Sequence, residues 1–250
     1  MPDGCRPQGF NHHFFAAMSE CIMNEATINV SNTTLAECAG CNLLSTDTYI
    51  CSECGRVMPL PAETDYFTFF GLPKKLRLDE SELEKTFYSL SRRLHPDYFM
   101  NAGEAERQAS VDRASLLNDA YRTLRDRVSR AQYLLKLEGF KEAEKKAPPD
   151  LLEEVFELNM QIEELKMAKK MGDEDEVAEA RASLESALSG LGDKLVEIDA
   201  RLFARFGDWD AALDREATDE EKKQVLNQMS ELLSHRSYIR NLVRDIKEEI

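Results

Sequence analysis

The sequence predicts a mainly α protein in three parts: a small N-terminal metal-bound module, a helical hairpin and a C-terminal three-helix bundle. Three observations carry this. Apolar residues recur at steps of three and four over long stretches, as in Leu83, Phe87, Leu90 and Leu94, which is the period of one face of an α-helix. Four cysteines group as two C-x2-C pairs between Cys38 and Cys54. Proline breaks the helical pattern at His95-Pro96-Asp97 and at Pro148-Pro149, which places the boundaries.

The chain has 250 residues, room for one to three domains, and 42% hydrophobic residues, enough for real cores. No run of about 18 apolar residues occurs, so no helix is expected to span a membrane. The net charge of −15 argues against broad binding to a nucleic-acid backbone, which needs a basic surface. Residues 1–37 read as a disordered leader. They lack the basic start and clean apolar run of a secretory signal. Arg6 is their only lysine or arginine, which speaks against an organelle transit peptide. Met18 and Met23 are alternative starts. Cys5, Cys21, His12, His13 and His235 have no partner at ligand spacing and read as ordinary side chains.

Residues 38–60 form the four-cysteine module. In CAGCNLLSTDTYICSEC, two residues separate Cys38 from Cys41 and Cys51 from Cys54. That spacing turns both thiolates of a pair toward one ion, and two pairs complete a tetrahedron. Asn42 and Gly55 follow the pairs, and both types tolerate the left-handed backbone a tight knuckle needs. The segment is too short for a core, so metal must supply the folding energy. Structural zinc is the first expectation; rubredoxin-type iron and a redox dithiol are the alternatives. In a chain with no export signal, clustered cysteines also imply a reducing compartment. The stretch from Gly55 to Asp65, with two prolines, reads as a linker.

Residues 64–140 carry the hairpin. A short helix over DYFTFFGLP is capped by Thr64 or Asp65 and ended by Gly71 and Pro73. Asp79 to Leu94 is amphipathic, with Lys85, Arg92 and Arg93 off the apolar stripe. Glu104 to Arg125 is a second long helix, with Ala114, Leu117, Tyr121 and Leu124 on one face, and Ser129 to Leu137 a shorter third. His95, Pro96 and Asp97 sit on the loop at the hairpin tip, where residues are more often contacts than core. HPD between two amphipathic helices, at the end of a basic face, resembles a J-domain, the module that stimulates ATP hydrolysis by DnaK-class chaperones. The aromatic start DYFTFFGLP and LLNDAYRTL extend the likeness. The resemblance implies that His95, Pro96 and Asp97 touch the chaperone, while Lys85, Arg92 and Arg93 steer it by charge. Tyr98 stands where J-domains commonly carry lysine.

Residues 148–250 predict three helices. The first has the seam Leu151, Val155, Leu158, Ile162 and Leu165. The second, from about Asp173 to Phe206, passes Gly190 and Gly192, where a kink is expected, and ends in a turn near Gly207-Asp208-Trp209. The third runs from about Thr218 to the end, with Val225, Met229, Leu232, Ile239, Val243 and Ile246 inward. Leu152 and Phe156 miss the first seam by roughly 100° and 140° but share a face. Tyr238 misses the third. Such a cluster suggests a binding patch, unless it packs on the hairpin or a neighbouring helix.

SRAQYLLKLEG, LLEEVFELNMQIEEL and SHRSYIRNLVRDI together resemble the HscB co-chaperones over about Asp65 to Ile250. These deliver an IscU-type iron–sulfur scaffold protein to a DnaK/HscA-type ATPase chaperone. The resemblance implies scaffold docking at Leu152, Phe156 and Tyr238. It also implies a bacterial cytoplasmic setting, or the mitochondrial matrix, since some members, including animal mitochondrial ones, carry a four-cysteine module. Glu153 and Asn159 stand where some members carry Met and Arg. No nucleophile triad, phosphate loop or paired acid and base stands out, so no enzyme is expected. Two other readings stay open: a cysteine-metal redox protein, and a J-domain co-chaperone with another client.

Overall fold

The computed structural model describes residues 36–45, 47–61, 64–140 and 151–250. Most of the leader, with Cys5, Cys21, His12 and His13, lies outside the described residues, as does the Pro148-Pro149 boundary. Among the described residues the first element is a two-stranded antiparallel ribbon, β1 (Ala36–Glu37) and β2 (Leu44–Ser45). Seven α-helices follow among the described residues: α1 (Tyr66–Phe69), α2 (Glu80–Arg93), α3 (Glu104–Arg125), α4 (Arg127–Leu137), α5 (Leu152–Met171), α6 (Glu174–Asp214) and α7 (Asp219–Glu249).

Capping side chains set the starts. The Asp79 carboxylate accepts from the N–H groups of Ser81 (2.9 Å) and Glu82 (3.1 Å), opening α2. Asp65 accepts from Thr68 N–H at 2.8 Å to open α1. Thr218 and Glu221 cap α7 reciprocally, satisfying two otherwise orphaned donors. Helices α2 and α3 then pair through Leu83, Leu90, Leu117 and Leu124, all buried, with Phe87 stacked on Tyr121 at 4.1 Å.

α6 departs from expectation. The turn predicted at Gly207-Asp208-Trp209 is helical, and α6 continues to Asp214. Trp209, Asp210 and Ala212 are buried there, so tertiary packing outweighs the roughly 1 kcal/mol by which glycine disfavours a helix. Gly207 has a positive use: the Arg77 guanidinium occupies the space its Cβ would need, 2.5 Å away. Gly190 and Gly192 also lie inside the helix. Leu226 and Leu233 join the predicted α7 face in the core, because α7 packs against α4 as well as α5 and α6.

The hairpin and the bundle are bolted together through the strap before α2. Leu76 is wholly buried. Its N–H donates to Asp210 Oδ1 at 2.7 Å, and Arg77 N–H donates to Asp210 Oδ2 at 2.9 Å. The Leu76 carbonyl accepts from the buried Arg130 of α4, which also donates to Leu124 O at 2.6 Å. Trp209 Nε1 donates to Lys74 O at 2.8 Å, and the Arg127 guanidinium lies over the Phe203 ring at 4.4 Å. Backbone groups buried at a junction need partners, and these side chains supply them from both sides.

Candidate functional site

The tip follows directly from the proline. Leu94 ends α2, and Pro96 holds His95 in an extended conformation (φ −61°, ψ 128°). The tip is not an open loop: Pro96–Phe99 forms one 3-10 turn with proline at its first position. Leu94 and Phe99 point into the core, and Ser110 Oγ donates to Leu94 O at 2.9 Å. His95 and Asp97 are left outside, with side chains 52% and 75% exposed. His95 Nδ1 accepts from Asp97 N–H at 3.3 Å. In the neutral ring this puts the proton on Nε2, free to donate to a partner. The Asp97 carboxylate lies 3.5 Å from Nδ1. Tyr98 beside them is also exposed.

The three expected cations of α2 differ in their surroundings. Lys85 pairs with Glu82 at 2.7 Å, and the Glu82 carboxylate raises its pKa. Arg92 donates to the carbonyl of Tyr88 at 3.3 Å. Arg93 is taken by Asp47 of the N-terminal module.

On the bundle, Leu152 and Phe156 are 55% and 68% exposed. Neither belongs to the core cluster of the described residues. Tyr238 differs: it is half-buried against the bundle core rather than standing free. Met160, Met167 and Met171, absent from the sequence-level expectation, are exposed on the same side of α5. They follow Phe156 at i+4, i+11 and i+15, within about 60° of it at 100° per residue. Helix α5 is therefore apolar on two opposed sides, one in the bundle and one open. The spacing was readable, but a second stripe is hidden whenever only the stronger seam is sought.

The cysteines come together as the spacing predicts. All four Sγ atoms lie within 4.8 Å of one another. Cys38 and Cys54 are 3.5 Å apart, and Cys41 and Cys51 3.7 Å. A tetrahedral ion with metal–sulfur bonds of about 2.3 Å needs edges of about 3.8 Å, so the donor set fits. The two knuckles repeat one another: Asn42 N–H returns to Cys38 O (2.8 Å) and Gly55 N–H to Cys51 O (2.9 Å). Asn42 and Gly55 adopt positive φ, 58° and 73°. Gly40 and Cys41 N–H groups pull the Cys38 thiol down to about 6, against burial. Cys54 is pushed up to about 12: the Arg56 N–H favours its thiolate, but burial and three neighbouring sulfurs outweigh it. Four sulfurs this close can hold one metal ion. The expected linker begins later than read: Ile50 bridges Val57, and Met58 is buried against Cys38 and Cys51, so Gly55 to Met58 completes the module. Its start is earlier too, since β1 takes in Ala36 and Glu37.

The DnaJ domain profile matches residues 65–133. The chain is 36% identical over 157 residues to a co-chaperone protein HscB homolog of Vibrio cholerae, covering 60% of this chain and 86% of that one. It is 33% identical over 149 residues to an iron-sulfur cluster co-chaperone protein HscB homolog of Arabidopsis thaliana, covering 59% of this chain and 57% of the plant protein. In fold it is similar to the crystal structure of human co-chaperone protein HscB, with a TM-score of 0.60 at 24% identity over 85% of this chain and 97% of that one. A DnaJ domain match, a similar fold and 36% identity over most of the bacterial relative lead to one conclusion: the chain belongs to the HscB family of J-domain co-chaperones.

Proposed function

We propose that the chain is an adaptor in iron–sulfur protein maturation. It binds an IscU-type scaffold protein on the bundle and presents it to a DnaK/HscA-type ATPase chaperone at the tip. His95, Pro96 and Asp97 contact the ATPase and raise its ATP hydrolysis, with Lys85, Arg92 and Arg93 steering the approach. Leu152, Phe156 and Tyr238 hold the scaffold, and Cys38, Cys41, Cys51 and Cys54 hold a structural zinc ion. The chain works by docking, without turning over a substrate of its own, in the bacterial cytoplasm or the mitochondrial matrix. The observation that supports this best is the pairing of a bare polar tip and a bare apolar stripe, joined through a junction whose buried bonds run from Asp210 and Arg130. Holding two proteins on one body makes their meeting intramolecular.

Two variants test it. His95→Gln abolishes ATPase stimulation while changing stability by no more than about 0.5 kcal/mol, because the ring is exposed. Leu152→Ser with Phe156→Ser weakens scaffold binding, measured by titration calorimetry, while stimulation without scaffold persists. Burying side chains already partly covered is worth about 1–2 kcal/mol each, so the expected loss is roughly 30- to 700-fold. Loss of both activities in each variant would refute two separate faces.

A further inference from the structure

The four-cysteine module is not a free appendage on a linker. Two anchors tie it to the hairpin, and both land on the helices that carry the tip. The first anchor is Asp47, in the loop between the two cysteine pairs. Its Oδ1 accepts from the N–H groups of Tyr49 (2.9 Å) and Ile50 (3.2 Å), shaping the turn that enters Cys51. Its Oδ2 meets the Arg93 guanidinium on the last turn of α2, two residues before His95. Tyr49 reinforces this contact. Its hydroxyl donates to Phe69 O, its ring sits edge-on to Phe69 at 5.5 Å, and Arg93 lies 6.0 Å from its centroid. Burial opposes charge on Asp47, but the two N–H donors and Arg93 outweigh it and hold its pKa below the ordinary aspartate value. The second anchor is Arg113 of α3, whose Nη2 donates to Met58 O at 2.8 Å. Met58 is itself buried on Cys38 and Cys51.

The module's own buried apolar cluster is Cys38, Cys51 and Met58, so its shape depends on the ion its thiolates hold. Without the ion, the Asp47 turn and the Met58 carbonyl lose their fixed positions. We propose that metal loading of the four-cysteine module governs the chaperone-facing end of α2: the loaded module keeps Asp47 on Arg93 and withholds that cation from an acidic partner surface, and loss of metal releases it. This rests on the reading that the α2 cations steer an ATPase. A single exposed charge acts mainly on the rate of encounter and is screened by salt, so the device tunes docking rather than switching it off.

The test uses the full chain. Asp47→Asn keeps an oxygen for the Tyr49 and Ile50 N–H groups and removes the charge facing Arg93. At low salt, the concentration of chain giving half-maximal stimulation of a DnaK-class ATPase falls about threefold in Asp47→Asn, the scale of one exposed charge. The same fall follows removal of metal by a chelator under reducing conditions, and zinc reverses it. In an Arg93→Ala background neither change has any effect. A second readout needs no chaperone: amide hydrogen exchange over Leu90 to Met100 speeds up several-fold on chelation and recovers with zinc. Unchanged exchange on chelation overturns the proposal, as does an Asp47→Asn variant that stimulates no better than the parent. If the parent chain fails to stimulate any DnaK-class ATPase, the docking reading fails instead, and the exchange experiment alone decides the linkage.

Discussion

Replacing Asp210 by alanine removes the only acceptor described for two backbone N–H groups of the strap, those of Leu76 and Arg77. Asp210 is 8% exposed and Leu76 is wholly buried, so water does not readily take the place of the carboxylate at Leu76. Leaving one buried donor unsatisfied costs about 1–3 kcal/mol. The Arg77 donor is only partly buried and adds about 1 kcal/mol more. The expected total is about 2–4 kcal/mol. With a urea slope of about 3 kcal/mol/M, the unfolding midpoint falls by about 0.7–1.3 M. Asp210→Asn is not a rescue, because its amide turns a donor toward one of the two N–H groups. Unfolding followed by far-UV circular dichroism measures the midpoint. Tryptophan fluorescence reports the junction directly, since Trp209 donates to Lys74 O in the same contact, and in the variant it changes before the helical signal does. A midpoint shift below about 0.3 M, equivalent to under 1 kcal/mol, would refute the argument that these bonds hold hairpin and bundle together.

Other consequences can be measured as readily. Cys41 and Cys54 both have raised pKa values, so both are protonated at neutral pH without metal, and binding an ion displaces at least about two protons. Zinc affinity measured by chelator competition should therefore rise about a hundredfold per pH unit between pH 6 and 8; a tenfold rise or less counts against a four-thiolate site. The Asp126 carboxylate caps α4 by accepting from Ser129 N–H at 2.7 Å, and that bond lowers its pKa although burial opposes the charge. A depressed carboxylate stabilises the fold above its unfolded value of about 3.9 and loses that contribution as pH falls through the lower folded value. Asp126→Ala should accordingly cost about 0.5–1 kcal/mol at pH 7, with the difference from the parent closing below about pH 3.9. Met167→Gln with Met171→Gln, on the open side of α5, should leave the thermal midpoint unchanged and reduce binding of an apolar dye.

Much of the architecture was legible because it is local. The apolar stripe of α2, the Asp79 cap and the proline after His95 act within one or two helical turns. The two cysteine knuckles are local as well. Each closes with a residue able to take positive φ, Asn42 or Gly55, so spacing and residue type determined the shape of each knuckle. What escaped was the end of α6. Gly207-Asp208 looks like a turn to any local reading, yet α6 runs through it because Trp209 and Asp210 have partners at the strap. The ion pair between Asp47 and Arg93 escaped for the same reason, with 46 residues separating its members. The methionines on α5 were hidden differently: their period was present, but beneath a stronger seam on the opposite side.

By itself, then, the chain's order of residues determined the helices, the two cysteine knuckles, the exposed polar tip and the greasy pair at the start of α5. Those depend on interactions within about four residues along the chain. Tertiary structure alone decided how hairpin and bundle are joined, how far α6 extends, and which of the α2 cations is already taken. The bonds that settle the junction link groups 133 to 135 residues apart. No local period encodes which backbone donors a distant carboxylate will satisfy. That is resolved only when burial leaves those donors no access to water.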